Sequence, residues 1–418
     1  MDSIRVQGGA PLQGKVRIQG SKNAALPILA ACIMMKEKCR LDHVPKISDV
    51  YGMLQILEGL GCRTQWNGHS LTVDPSGFHG KDVAGEAAKS MRSSIFLLGA
   101  MLARQGRATL ENPGGCVIGK RPIDLHVKSL KAMGVTFRDR ENGILARTGK
   151  GLSPAEIWLD FPSVGATENV IMAATAAKGE TRIHGAAREP EVTALCGFLN
   201  AAGAGIRGMG TGELCIRGGM PLHGVRFRIP SDRIVAGTYL FCGFSAGGNV
   251  LLEDAPSDQM EAILLLAERM GAGITVTREG IYAQFPERAG MLSSVRTDVY
   301  PGFPTDLQSA LLAVRCTGTG KCLVRESIFE NRFRIAGELQ KMGAKIRQTD
   351  EKCVLVEGVR RLRGCKVEAC ELRGGAALVA AALGAEGETV ISGKRYVDRG
   401  YENICKDLRE LGARIVGE

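Results

Sequence analysis

The sequence lacks any apolar run of the roughly 18 to 20 residues that a helix needs to span a bilayer, although 44% of its 418 residues are hydrophobic. Its longest apolar stretches, 24–35 and 376–385, have the length of buried helices. The first residues, Met-Asp-Ser-Ile-Arg-Val, contain no apolar signal segment. We therefore expect a soluble cytoplasmic protein that does not bind a membrane, and the length favours two or three domains.

Paired cysteines of the kind that hold zinc are also missing, since none of the 13 cysteines forms a Cys-x-x-Cys pair. The closest pairs are Cys316 with Cys322 and Cys365 with Cys370, and neither has a histidine nearby to complete a zinc set. An odd number of cysteines without a signal segment favours reduced thiols over a disulfide framework. We expect most of these cysteines to be small buried hydrophobic residues.

Aromatic residues make up only 5% of the chain, and no long block of lysine and arginine occurs. Both features disfavour a nucleic-acid surface built from stacked aromatics and basic side chains. The formal net charge is nevertheless +10, which favours an anionic ligand. On charge alone, RNA or another polyanion remains an alternative to a small polyanionic substrate.

What the sequence does contain is a sixfold internal repeat. An amphipathic segment ends each time at a glycine, and the six glycines are Gly61, Gly134, Gly203, Gly271, Gly343 and Gly412. They lie 73, 69, 68, 72 and 69 residues apart. A glycine at this place is typical of a left-handed helix C-cap. The spacing therefore predicts six repeats of about 70 residues.

Each repeat also contains a helix that is apolar nearly all round, which is typical of a buried helix. These predicted helices span 24–35, 94–103, 169–177, 237–246, 307–314 and 375–385. One repeat therefore consists of a buried helix, a strand, an amphipathic helix and two strands. The last repeat lacks its final strand, and we expect the spare strand at 3–8 to complete it.

The repeat count predicts two domains of three repeats each. The first domain spans 22–230 and carries Cys116. The second combines 1–21 with 231–418, so the chain crosses between the domains near 20–22 and 228–232.

Polar and charged residues precede the buried helices, where free backbone N–H groups and the helix dipole favour anions. Serine, threonine and aspartate at such places are most simply helix caps. Lys22, Arg92 and Arg373 do not fit a capping role, because a cation meets the positive end of the dipole unfavourably. We therefore expect a bound phosphate or carboxylate to offset their charge.

Two loops carry further chemistry. Cys116 lies among glycines with Lys120 and Arg121 close by, and neighbouring cations favour a thiolate. An incidental loop cysteine is the alternative interpretation. Asp306 follows two prolines that fix its backbone, and taken alone its carboxylate is more typical of a helix cap than of a base.

Six motifs together resemble the UDP-N-acetylglucosamine 1-carboxyvinyltransferase family over essentially the whole chain. They are Gly20-Ser-Lys-Asn-Ala24, Pro113-Gly-Gly-Cys-Val-Ile-Gly119 with Arg121-Pro-Ile-Asp-Leu-His126, Ser163-Val-Gly-Ala-Thr167, Pro301-Gly-Phe-Pro-Thr-Asp306, Phe329-Glu-Asn-Arg-Phe333 and Asp398-Arg-Gly-Tyr-Glu402. Their order and spacing together are highly specific. The resemblance implies an α/β (α+β) fold of two inside-out α/β barrel domains of the enolpyruvyl transferase type, built from six βαβαββ-like repeats.

The resemblance also implies a reaction, the transfer of the enolpyruvyl group of phosphoenolpyruvate to the 3′-hydroxyl of UDP-N-acetylglucosamine. Phosphate leaves by addition and elimination, in the first committed step of peptidoglycan precursor synthesis. By the same resemblance Cys116 is the proton donor and the target of the phosphoenolpyruvate mimic fosfomycin. Asp306 is the base, and Lys22 and Arg399 are further catalytic residues. No metal, organic cofactor, nucleic acid or obligate protein partner is implied.

The same comparison assigns residues to the two substrates. The cations around phosphoenolpyruvate are Lys22, Arg121, Arg332, Arg373 and Arg399, and guanidinium groups suit bidentate contacts to its oxygens. The positions around the nucleotide sugar are Asn23, Arg92, Arg121, Pro122, Ile123, Asp124, Leu125, Ser163, Val164, Gly165, Asp306 and Ile328. One residue departs from the family motif: Glu371 stands where aspartate is usual, so its side chain is one methylene longer.

Three other interpretations stay open. The sister family of 5-enolpyruvylshikimate-3-phosphate synthases shares the fold and the donor but has no such cysteine loop. A polyanion-binding repeat protein would show strongly salt-dependent binding to RNA. A catalytically silent paralogue would keep the substrate site, with Glu371 as the only sign of its loss of activity.

Overall fold

The structure, a computed structural model, describes residues 2–83, 91–111, 122–141 and 143–418. The described residues form two compact units. Unit 1 consists of residues 2–19 and 231–418, and unit 2 consists of the described residues between 20 and 230. Each unit has a hydrophobic core of its own.

The described residues contain thirteen α-helices, and six of them, one per repeat, are largely buried. In chain order the helices are α1 (Lys22–Cys32), α2 (Ser48–Gly59), α3 (Leu97–Gln105), α4 (Asp124–Ala132), α5 (Val164–Ala176), α6 (Pro190–Ala201), α7 (Arg233–Ala246), α8 (Glu261–Arg269), α9 (Gln308–Arg315), α10 (Ile335–Lys341), α11 (Leu372–Leu383), α12 (Lys394–Val397) and α13 (Ile404–Glu410). The buried ones are α1, α3 and α5 in unit 2 and α7, α9 and α11 in unit 1. Short 3-10 helices, Arg92–Phe96 and Thr305–Leu307, lead into α3 and α9. None of the described helices is long and apolar enough to cross a membrane.

The strands are short and distributed evenly among the repeats. They are β1 (Ser3–Gln7), β2 (Leu12–Arg17), β3 (Cys39–Asp42), β4 (Arg63–Asn67), β5 (Ser70–Asp74), β6 (Arg107–Glu111), β7 (Val135–Arg140), β8 (Gly143–Thr148), β9 (Glu156–Trp158), β10 (Gly179–His184), β11 (Gly205–Arg207), β12 (Glu213–Gly218), β13 (Arg226–Arg228), β14 (Gly248–Glu253), β15 (Gly273–Val276), β16 (Gly280–Phe285), β17 (Ser294–Arg296), β18 (Lys321–Arg325), β19 (Lys345–Asp350), β20 (Cys353–Glu357), β21 (Lys366–Glu368), β22 (Glu388–Ser392) and β23 (Arg414–Gly417).

Each repeat folds its strands into one small sheet. The strand orders in unit 2 are β13-β3-β5-β4, β6-β8-β7 and β11-β12-β10-β9, and those in unit 1 are β15-β16-β14-β2, β17-β18-β20-β19 and β21-β22-β1-β23. In five sheets an edge strand runs parallel to the strand that follows the buried helix. In the sixth, Val83 makes a parallel bridge to Leu110 of β6. The predicted α/β class with six βαβαββ-like repeats is confirmed.

Three strands pair with partners that are far away in the chain. β2 is parallel to β14, although the whole of unit 2 lies between them in sequence. β13, at the end of unit 2, is parallel to β3 near its start. β1 lies between β22 and β23 and is antiparallel to both, so the N-terminal strand forms part of the sixth repeat.

The six repeat glycines all adopt a left-handed backbone, with φ between +86° and +103°. In five of the six repeats the residue after the glycine closes the helix end, as where the Cys62 N–H donates to the Leu57 carbonyl at 3.0 Å. A backbone of this hand is strained for any residue with a Cβ, which explains why glycine recurs here.

The buried helices pack against one another within each unit. In unit 1, α7, α9 and α11 contact each other pairwise, and in unit 2 α3 contacts both α1 and α5. A helix that is apolar on every side must bury every side, so this packing explains the absence of a polar face.

Four of the buried helices begin two to five residues earlier than predicted. Their N-caps are Ser21 for α1, Ser163 for α5, Asp232 for α7 and Glu371 for α11, and each cap side chain accepts a hydrogen bond from a first-turn N–H. The apolar pattern starts only after this polar first turn, so hydrophobicity alone places the start too late. Lys22 and Arg373, which were predicted to precede the helices, therefore lie inside their first turns.

Candidate active site

Asp306 is an ion-pair centre in unit 1, within the 3-10 helix that leads into α9. Its Oδ1 accepts a hydrogen bond from Arg332 Nη2 at 2.6 Å, and its Oδ2 accepts one from Arg373 Nη2 at 2.9 Å. The two arginines are only 4% and 6% exposed. The cap position of this 3-10 helix is Pro304, so the capping role that Asp306 suggested in isolation is wrong.

Arg332 is fixed by several further groups. Its Nε donates to the Thr305 hydroxyl at 3.2 Å, and its Nη1 lies 3.7 Å from Glu371 Oε2. Its guanidinium also lies 5.4 Å from the ring centroid of Phe329. A planar guanidinium with defined partners on its edges is suited to directional contacts with oxyanions.

Arg373 lies in the first turn of α11. Burial alone would lower its pKa, but electrostatic interactions, the largest with Asp306, outweigh burial and raise that pKa. Burial has the opposite effect on a neutral acid and raises the pKa of Tyr401 to about 12. The Tyr401 hydroxyl is 2.8 Å from the Thr238 hydroxyl. Arg373 is therefore a permanent cation that interacts with Asp306, Tyr401 and Asp232.

Glu371, the residue that departs from the family motif, still caps α11. Its carboxylate accepts hydrogen bonds from the backbone N–H groups of Arg373, at 2.8 Å, and of Gly374. The extra methylene thus leaves the cap intact and brings the carboxylate toward Arg332.

Ile328 and Arg399 complete the predicted residues of unit 1. The Ile328 N–H donates to Glu326 Oε1 at 2.8 Å, which fixes the loop after β18. Arg399 is half-buried in the turn after α12, and this turn is held by Gln19 through bonds to Gly400 and Glu402.

Lys22 is the first residue of α1 in unit 2, and its Nζ lies 2.8 Å from Asp49 Oδ2 on α2. Next to it, the Asn23 amide donates to Glu191 Oε1 at 3.4 Å. Asp49 and Asp306 thus supply the negative charge that the sequence analysis assigned to a bound anion. Neither aspartate could be recognised as a partner from sequence, because each pair joins separate elements.

The short 3-10 helix that leads into α3 links the buried helices of unit 2. The 3-10 helix that begins at Arg92 contacts both α1 and α5. Burial lowers the pKa of Arg92. Ser163 caps α5, and Val164 and Gly165 lie in its first turn. Pro122 and Ile123 precede α4, Asp124 and Leu125 are its first two residues, and α4 packs against α5. The free N–H groups at a helix N-terminus favour an anion such as a phosphate.

Asn169 ties these segments to one another. Its Oδ1 accepts the Gly99 N–H at 2.6 Å, while its Nδ2 is 3.1 Å from both His126 Nδ1 and the Gly165 carbonyl. Because the Gly99 bond fixes the amide orientation, His126 Nδ1 is the acceptor and its Nε2 carries the proton. A side chain at Gly165 would lie 3.1 Å from the His126 ring, so glycine keeps this approach open.

Two predicted residues, Cys116 and Arg121, lie outside the described residues. The other predicted residues fall into two groups. Asp306, Arg332 and Arg373 meet in unit 1, and the helix-start residues 22–23, 92 and 163–165 occur in unit 2.

Glu168 is a buried acid that the sequence analysis missed, although a glutamate within an apolar helix was a visible signal. It is 0% exposed on α5, and neither carboxyl oxygen has a hydrogen-bond partner among the described residues. Burial, followed by the charges of Glu191 and Glu189, raises its pKa well above the ordinary value of 4.5. Burial therefore favours the protonated, neutral form of Glu168.

The Glu168→Gln variant should become more stable than the wild type by a growing margin as the pH rises. Below the ordinary pKa both folded and unfolded Glu168 are protonated, whereas above it only the unfolded state ionises freely, so the wild type loses stability. The difference in melting temperature, variant minus wild type, should therefore increase between pH 5 and pH 8. Glu141→Gln, at an exposed turn, is the matched control, and parallel curves for Glu168→Gln would contradict a neutral Glu168.

Comparisons with known proteins cover nearly the whole chain. The sequence model of the family described as EPSP synthase (3-phosphoshikimate 1-carboxyvinyltransferase) matches residues 6–408. A UDP-N-acetylglucosamine 1-carboxyvinyltransferase of Nitratidesulfovibrio vulgaris (strain DP4) is 43% identical over 417 residues, covering 99% of each chain. A UDP-N-acetylglucosamine 1-carboxyvinyltransferase 2 of Caldanaerobacter subterraneus subsp. tengcongensis is 41% identical over 416 residues, covering 100% of this chain and 99% of its own.

Solved structures show the same fold at lower sequence identity. The enolpyruvyl transferase NikO from Streptomyces tendae aligns with a TM-score of 0.88 at 24% identity, covering 100% of this chain and 98% of that one. The EPSP synthase from Acinetobacter baumannii aligns with a TM-score of 0.76 at 20% identity and full coverage of both chains. The fold predicted from the repeats and the resemblance is confirmed.

Proposed function

The chain belongs to the EPSP synthase family and, within it, to the UDP-N-acetylglucosamine 1-carboxyvinyltransferases, and on this basis we propose that it transfers the enolpyruvyl group of phosphoenolpyruvate to the 3′-hydroxyl of UDP-N-acetylglucosamine. Phosphate is released, and the product is the first committed precursor of peptidoglycan. The structural observation that most supports the proposal is the pairing of Asp306 with two buried arginines.

The reaction needs two proton transfers, one to the methylene carbon of the donor and one from the sugar hydroxyl. Cys116 delivers the first proton and Asp306 accepts the second. Arg332 and Arg373 hold the two oxygens of the Asp306 carboxylate at 2.6 and 2.9 Å. The phosphate and carboxylate of phosphoenolpyruvate compete for these arginines, so binding of the donor changes the partners of Asp306.

The remaining residues bind and orient the substrates. Lys22, Arg121, Arg332, Arg373 and Arg399 neutralise the donor, and the helix starts of each unit favour its anionic groups. Asn23, Arg92, residues 121–125 and 163–165, Asp306 and Ile328 contact the nucleotide sugar. Asp49 holds the Lys22 ammonium at 2.8 Å, so that cation is directed before any ligand arrives.

Shikimate 3-phosphate is the alternative acceptor, because the matching family model is named for an enzyme that uses it. Release of phosphate from phosphoenolpyruvate should be measured with UDP-N-acetylglucosamine, with shikimate 3-phosphate and with no acceptor. We expect release only with the nucleotide sugar. Phosphate release with shikimate 3-phosphate but not with the nucleotide sugar would favour the sister activity. If no phosphate is released with either acceptor, a silent paralogue is favoured.

A further inference from the structure

Glu326 is a buried carboxylate next to the Asp306 cluster that no motif singled out. It directly follows β18 and is 1% exposed. Its Oε1 accepts hydrogen bonds from the backbone N–H groups of Ile328, at 2.8 Å, and Phe329, at 3.2 Å. Its Oε2 accepts the Thr305 hydroxyl at 3.0 Å. The carboxylate therefore bridges the loop after β18 and the residue that precedes Asp306.

The bond to Thr305 extends into a chain that ends on Asp306. Arg332 Nε donates to the Thr305 oxygen at 3.2 Å, and Arg332 Nη2 donates to Asp306 Oδ1 at 2.6 Å. Because Glu326 accepts the Thr305 proton, a lone pair of the hydroxyl oxygen remains free to accept from Arg332. The carboxylate thus sets the direction of the Thr305 hydroxyl bond, and the two bonds from Arg332 run from its N–H groups to Thr305 and to Asp306.

Glu326 also fixes the residue that packs on the face of the Arg332 guanidinium. The Arg332 guanidinium lies over the Phe329 ring, with 5.4 Å to the ring centroid, and the Phe329 N–H is bound by the same carboxylate. Glu326 therefore holds both Thr305, which bonds the edge of the Arg332 guanidinium, and Phe329, whose ring faces it.

We propose that Glu326 is a positioning residue for the transfer reaction, an inference that rests on the proposed function. It holds Arg332 through Thr305 and thereby aims the Asp306 carboxylate at the sugar hydroxyl, and it holds the Ile328 loop against the nucleotide sugar. A carboxylate that served only to satisfy loop backbone groups would not need the bond to Thr305.

The test compares Glu326→Gln with Thr305→Val and with the double variant. Glutamine keeps a carbonyl oxygen for the two backbone N–H groups but no longer accepts the Thr305 proton, and valine removes the hydroxyl at nearly constant shape. Each single variant should lower kcat about 10- to 100-fold, the range that misplacement of a reacting group by about an ångström can cost. The double variant should be no slower than the slower single variant, because both break one chain. Thr305→Ser, which restores the hydroxyl, should recover most of kcat.

Melting temperature and kcat, measured for every variant, separate positioning from a purely structural role. Melting temperatures report folding, and Glu351→Gln, in the exposed turn between β19 and β20, is the matched control for charge removal. Unchanged kcat in Thr305→Val and Glu326→Gln, or losses that multiply in the double variant, would overturn the role of Glu326. Wild-type protein that transfers nothing to UDP-N-acetylglucosamine would instead overturn the proposed function and this inference with it. If Glu326→Gln does not fold, Thr305→Val and Thr305→Ser still decide the matter.

Discussion

Asp306→Asn should lower turnover about 10²- to 10⁴-fold, the usual contribution of a general base, while UDP-N-acetylglucosamine binding stays largely intact. The amide keeps one oxygen for the sugar hydroxyl or an arginine, but it cannot take up a proton during the reaction. Phosphate release measures kcat, and calorimetric titration measures the Kd of the nucleotide sugar.

The ion pairs of Asp306 require a control for folding, because Arg332 and Arg373 are buried and lose a counter-charge in the variant. The melting temperature reports that loss separately from kcat. Asp298→Asn is the matched substitution, since its carboxylate is half exposed in the same loop and lies 3.9 Å from Arg296. We expect wild-type turnover from it. An Asp306→Asn variant that kept more than about a tenth of wild-type kcat would leave Asp306 as an anchor for the arginines.

Cys116→Ser should lose nearly all turnover, whereas Cys116→Asp should keep a measurable part. A carboxylic acid can deliver the proton to the donor carbon, but a serine hydroxyl is far too weak an acid, and the loss should reach about 10²- to 10⁴-fold. The same kinetic assay measures both variants. Equal activity of the two would contradict a proton-donor role for this residue.

The other twelve cysteines provide the internal control for Cys116 reactivity. Nine are buried, and the three half-buried ones are Cys215, Cys365 and Cys370. Burial raises the pKa of each of these three thiols, so few of them are thiolates at neutral pH. The pKa of Cys39 is lowered by a hydrogen bond with Cys32, but Cys39 is buried.

Cys116 should therefore be the first cysteine that fosfomycin modifies. Peptide mass mapping after limited treatment, with and without UDP-N-acetylglucosamine, identifies the modified residue. Modification of Cys215, Cys365 or Cys370 before Cys116 would remove the basis for assigning the acid to Cys116.

Local patterns in the sequence predict most of the fold. The glycines that end the amphipathic helices, such as Gly61 and Gly412, are predictable because only a residue without a Cβ adopts their left-handed backbone easily. The helix starts were less predictable, since Lys22 and Arg373 belong to polar first turns that the apolar pattern does not include.

The candidate site was predictable only residue by residue. Motifs pointed to Asp306, Arg332 and Arg373, but their ion pairs join positions up to 67 residues apart, and no local pattern reports such a pair. Asp49, Glu168 and Glu326 were missed because their importance depends on burial and on partners in other elements.

The central claim, enolpyruvyl transfer to UDP-N-acetylglucosamine, is tested most directly by mass spectrometry of the nucleotide sugar after incubation with the protein and phosphoenolpyruvate. We predict a new species heavier by one enolpyruvyl group, formed in step with released phosphate and strongly reduced with Asp306→Asn. An unmodified nucleotide sugar, under conditions in which the folded protein binds it, would contradict the claim.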